Sequence, residues 1–193
     1  MFGRLPDCDD LFRRFFDPWY SAEDRERRIF PATRPDVMQI EKLVGITECV
    51  ASALPANTCE EVSHQIDRML EAARGDWPDY LGVAGEIDLS WVEAFDRYWN
   101  RKKIRDLIRG SDPEDFGNEY VILCCEFGAV LGHVMRQFQP RLIWCLEWPY
   151  WESSLVDPKK GIIIPVFHWS IKKMSRYGVD DGFAEKVQAC LRM

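Results

Sequence analysis

The sequence predicts an α+β domain. Three observations carry that prediction: apolar residues recur at helical spacing through the first two thirds, a segment at about 113–138 is apolar nearly all round, and the apolar period shortens after Pro140. At 193 residues the chain can bury a substantial core, so one domain over 1–193 is expected. The alternative division is a helical subdomain 1–110 and an α+β subdomain 111–193. Hydrophobic residues at 47% and charged residues at 30% are ordinary values for a chain that folds on its own.

Leu11, Phe12, Phe15, Phe16, Trp19 and Tyr20 fall largely on one side of a helix over 7–29, which Pro18 interrupts. Pro31 and Pro35 mark a connection. Asp36 can then cap a helix to about Leu54 with Val37, Ile40, Leu43, Val44, Ile46 and Val50 as its apolar stripe, ended by Pro55. Asn57 or Thr58 caps its partner in a helical hairpin, Glu60 or Glu61 completes a capping box, and Gly75 is the expected stop. Residues 76–88 read as a loop; Asp88 or Ser90 caps a helix over 91–98, and a short basic helix continues to Arg109. Ser111 or Asp112, with Pro113 in the first turn, is expected to start the central buried helix at about 113–138. The β-branched and aromatic runs at 141–148 and 161–166, with 153–156 between them and a Pro-Gly turn at 157–161, predict a small antiparallel sheet over about 141–166. Helical spacing returns at 167–177 and 182–191, with Gly178 between as a stop.

Acidic residues within the first ten positions and no apolar run near the roughly 20 residues of a membrane span point to the cytoplasm. The seven cysteines (Cys8, Cys49, Cys59, Cys124, Cys125, Cys145, Cys190) are scattered and form no C-x-x-C pair, which fits reduced thiols; neither a structural metal nor a cofactor is expected. A net charge of −7 disfavours nucleic acid and anionic membrane as partners. The charge is blocked. Asp76, Asp79, Glu86, Asp88, Glu93 and Asp96 precede a basic run over 97–109, and Asp112, Glu114, Asp115, Glu119 and Glu126 follow it without an intervening base. Such blocks either pair with each other across solvated helix faces or form an acidic surface that docks a basic partner.

Gly128 and Gly132 lie one turn apart on the central helix. Each costs about 1 kcal/mol relative to alanine, so a close neighbour is expected there. Glu119, Glu126 and His133 recur every seven residues as a polar stripe, a rise of roughly 10 Å per step that keeps Glu126 and His133 from bonding directly. They are either a solvated or otherwise satisfied stripe, or a carboxylate–imidazole site in a cleft. The order of Cys124 and Cys125 before an apolar helical stretch, then His168 after a strand, resembles papain-like cysteine hydrolases; that resemblance implies a thiolate at a helix N-terminus paired with histidine. The predicted helix starts about two turns earlier, which places both thiols away from the positive dipole end. Trp144, Trp148, Tyr150, Trp151 and Trp169 crowd the strands; Tyr150 and Trp151 either close the core edge or anchor a partner at a rim.

The succession from Glu126 through Phe127-Gly-Ala-Val-Leu-Gly-His-Val-Met135, a Trp-containing strand, a turn, and Gly161-Ile-Ile-Ile-Pro-Val-Phe-His-Trp-Ser-Ile-Lys-Lys173 resembles uncharacterised bacterial domains of the immunity-protein type over about the last third of the chain. The resemblance transfers no catalytic residue. It implies a non-enzymatic, cytoplasmic protein-binding domain that neutralises a basic toxin through its acidic blocks. The candidate contact residues are Asp76, Asp79, Glu86, Glu93, Asp112, Glu114, Asp115, Glu119, Tyr150 and Trp151. The competing expectations are a hydrolase using Cys124 or Cys125 with His168, or Glu126 with His133, and a subunit of a larger assembly.

Overall fold

The computed structural model describes residues 4–21 and 56–191, so the helix expected over 36–54, with the connection before it, lies outside the described residues. Among the described residues are seven α-helices and one three-stranded antiparallel sheet, an α+β fold. Helix α1 is Cys8–Phe15; the Asp7 carboxylate accepts from the Asp10 N–H at 2.9 Å, and a 3-10 turn over Asp17–Trp19 follows at Pro18. Helix α2 is Ala56–Leu81, α3 is Leu89–Tyr98 capped by Asp88, and α4 is Arg101–Gly110 capped by Asn100.

Several helix boundaries correct the sequence expectation, and Asn57 and Thr58, expected as caps, lie inside α2. α2 does not stop at Gly75: it continues through Pro78 to Leu81, and the chain leaves it at Gly82, whose φ is +68°. Tertiary anchoring overrides the local breakers here, because Trp77 is fully buried against Trp91, Phe95 and Phe127. The central helix α5 is Glu119–Phe138 and not 113–138. Asp112 and Asp115 turn their carboxylates onto the N–H groups of Glu114 and Gly117, at 3.0 and 2.8 Å, which favours turns over a helix. Asn118 then supplies the cap, accepting from Val121 at 3.0 Å.

The sheet, within the expected 141–166, pairs β1 (Ile143–Cys145) with β2 (Ser154–Asp157) and β2 with β3 (Ile162–Ile164). Its two-residue period divides the faces: Trp144, Leu155 and Ile164 join the main core, whereas Ile143, Cys145 and Val156 form a separate small cluster. Helix α6 (Val166–Lys173) ends before the expected stop at Gly178, and α7 is Phe183–Leu191.

α5 is the hub. It packs on α2 and α6 and buries Glu126 along with nearly all its apolar residues. By length and composition it could cross a membrane, yet in this fold it is largely enclosed by protein. Its glycines are seats for aromatic rings: a Cβ on Gly128 would stand 2.3 Å from the Phe167 ring, and one on Gly132 would stand 2.5 Å from Trp144. Those two rings stack on each other at 6.1 Å between centroids, which joins sheet, α6 and α5. At the other end of α6, Lys173 is 1% exposed. Its ammonium pairs with Asp96 at 2.9 Å and donates to the Asp181 carbonyl at 2.7 Å, while Asp96 also accepts from the Ala184 N–H at the start of α7.

Candidate functional site

Most of the acids in the two blocks are on the surface; Glu126 is buried and Asp96 is largely so. Asp76 and Asp79 lie on the exposed side of the last turns of α2, Glu86 in the following loop, and Asp112, Glu114, Asp115 and Glu119 in and just after the turn that leads into α5. Glu93 is half-buried on α3, 3.9 Å from Arg97. Among the described residues, the basic run does not neutralise the other acids: Arg97 meets Glu93 and Arg101 meets Asp180, but no Lys or Arg forms an ion pair with Asp76, Asp79, Glu86, Asp112, Glu114, Asp115 or Glu119. Asp76 acts on Glu126, midway along α5, and Glu86 on His133 further along, whereas Asp112, Glu114 and Asp115 precede the helix and Glu119 begins it. In the same stretch of sequence Phe116 and Ile122 are exposed at 43% and 38%, the Phe116 ring standing edge-on to Trp19 at 5.0 Å.

Tyr150 and Trp151 do not join that surface. They are 8% and 3% exposed, which corrects the rim assignment. The 3-10 turn Tyr150–Glu152 tucks both rings inward: Tyr150 stands edge-on to Phe167 at 5.8 Å, Trp151 edge-on to Phe16 at 5.7 Å, and the Trp151 indole donates to the Tyr20 hydroxyl at 3.0 Å. Trp148, one residue before a cis-proline, is the ring left exposed.

The candidate chemical groups are separated. Cys124 and Cys125 are both buried on α5, beside Tyr120 and Tyr150 respectively. Burial pushes the Cys124 thiol well above its usual range and the Cys125 thiol to about 12, so neither site favours the thiolate. His168 bonds elsewhere: its Nε2 is 3.0 Å from Glu152 Oε2, and its ring stacks on Phe12 at 5.3 Å. Glu126 accepts from the Trp77 indole at 2.8 Å. Its pKa is raised to about 7, by burial first; the Trp77 bond opposes the shift and the Asp76 charge adds to it. His133 faces Gln137 at 3.0 Å, and burial followed by Arg74 and Arg136 lowers its pKa. Glu126 and His133 thus have separate partners, in line with their spacing.

Sequence reasoning missed the polar cluster that does form. Glu152 accepts from Tyr20 and meets His168, tying the N-terminal segment to the sheet and α6. Nearby Glu147 has a raised pKa, from burial and then from the Glu152 charge. A lone glutamate after an aromatic run carries no periodic signal, and its partner Tyr20 is far away in sequence. Among the described residues, no group of three or more His, Cys, Asp or Glu is arranged to hold a metal ion. No family model, no curated protein and no solved structure matches the chain.

Proposed function

We propose that the chain is a non-enzymatic protein-binding domain, and more specifically a bacterial cytoplasmic immunity protein that occludes a basic toxin. The observation that carries the reading is the acid-rich stretch leading into α5, where exposed Asp112, Glu114, Asp115 and Glu119 ion-pair with no described base and where Phe116 and Ile122 are exposed as well. Exposed apolar residues in a stretch of one charge sign fit an interface whose field attracts an oppositely charged partner. The resemblance of residues 126–173 to immunity-type domains gives the partner's class.

The test is co-expression with the product of the neighbouring gene, scored by growth and by co-purification. The reading expects growth rescue by the wild-type chain, and loss of rescue by a folded Glu114→Lys/Phe116→Ser/Glu119→Lys variant. Rescue unaffected by the triple substitution, or no association with that product, contradicts it. A thiol-dependent hydrolase has no comparable support, since both candidate thiols are buried and held protonated.

A further inference from the structure

We propose that the cleft between the N-terminal segment, α1 and α4 binds a phosphate-type dianion. The cleft measures about 170 Å³; Arg4, Arg14, Arg105 and Arg109 line it over an apolar floor that includes Leu5 and Ile108. In a chain of net charge −7, four of the seven residues that line this cleft are arginines, and among the described residues none of the four forms an ion pair with a carboxylate. Arg13, Arg74, Arg101 and Arg141, by contrast, each reach one, at Asp10, Glu71, Asp180 and Asp157. The Nε–H of Arg105 is buried and has no hydrogen-bond partner among the described residues, a donor withdrawn from water that an acceptor in the cleft would satisfy. Arg14 lies over the Phe15 ring at 4.8 Å, a contact that takes up no carboxylate. Leu5 and Ile108 are 2% and 4% exposed and lower the polarity beneath the charges, which strengthens their attraction for an anion. A tetrahedral dianion offers oxygens in several directions to planar guanidinium forks, whereas one carboxylate presents two oxygens and a single charge to four cations.

The experiment is thermal unfolding of the full chain in rising inorganic phosphate, against sodium chloride at matched ionic strength, with Arg105→Gln and Arg109→Gln variants. The proposal expects a phosphate-specific rise in Tm that grows with concentration as for a ligand of the native state. Each variant should need about tenfold more phosphate or greater for the same rise. Without phosphate, Arg109→Gln should unfold at or above the wild-type temperature, because it removes a like charge. An equal rise in chloride, or an unchanged phosphate response in both variants, overturns the proposal. Phenyl phosphate distinguishes the source: a larger stabilisation than inorganic phosphate assigns the cleft to a terminal phosphate monoester, and an equal or smaller one to the free anion.

Discussion

At Gly128 the missing side chain is what lets Phe167 reach the helix. Alanine would improve helix propensity by about 1 kcal/mol. It would also place a methyl 2.3 Å from a ring that is fully buried and cannot retreat. Overpacking wins, and Gly128→Ala should lower stability by roughly 1–3 kcal/mol in urea unfolding. Gly75 gives the opposite sign. It is exposed within α2 and a Cβ there meets nothing within 4 Å, so Gly75→Ala should raise stability by about 0.5–1 kcal/mol. The sequence shows that each glycine is unusual in a helix but not which case applies, because the deciding neighbour is distant in the chain. Glu126 adds a pH dependence. Its folded-state pKa of about 7 exceeds the 4.5 of a free carboxyl, so the folded state holds the proton more tightly. That stabilisation is fully present below about pH 4.5 and is lost as the pH rises through about 7, a change of about 3 kcal/mol. Glu126→Gln keeps an acceptor for Trp77 and removes the titration. The wild-type minus variant stability, measured by urea unfolding from pH 4.5 to 8, should therefore fall with rising pH. A flat difference contradicts the assignment.

Between elements, a buried ion pair from Lys173 to Asp96 holds α6 to α3 and, through the Ala184 N–H, to the start of α7. With both side chains largely buried, removing one leaves the other charge uncompensated. Lys173→Met should cost about 3–5 kcal/mol, and Asp96→Asn added to it should restore part of the loss. Equal losses in the single and double variants would show that the pair itself is not what matters. This link was invisible in the sequence, where Asp96 read as one acid in an acidic block. The elements themselves were more legible: the small sheet, the breaks at Pro18 and Pro140, and the cap at Asp88, one of two candidates with Ser90, follow from local chemistry. The errors arose where tertiary contacts or side-chain turns override local signals. Trp77 carries α2 past Gly75 and Pro78, and the Asp112 and Asp115 turns delay α5.

For the whole molecule, one connected apolar cluster runs from Leu5 to Val187 and crosses position 110, with α5 at its centre. Fold and function diverge at this scale in how much the sequence reveals. Periodicity reports which residues enter the core, so the architecture could be read; exposed acids leave no pattern that fixes a partner, and an aromatic pair such as Tyr150 and Trp151 reads equally as core edge or as anchor until the fold shows both rings inside. Electrostatic docking at the Asp112–Glu119 segment is tested by the association rate with the neighbouring gene's product, by stopped flow, at salt concentrations from about one-tenth to about twice physiological ionic strength. The account predicts a rate that falls steeply with salt, and a Glu114→Lys/Glu119→Lys variant that associates about tenfold or more slowly at low salt while dissociating at nearly the wild-type rate. A salt-independent rate, or a variant indistinguishable from wild type, would contradict it.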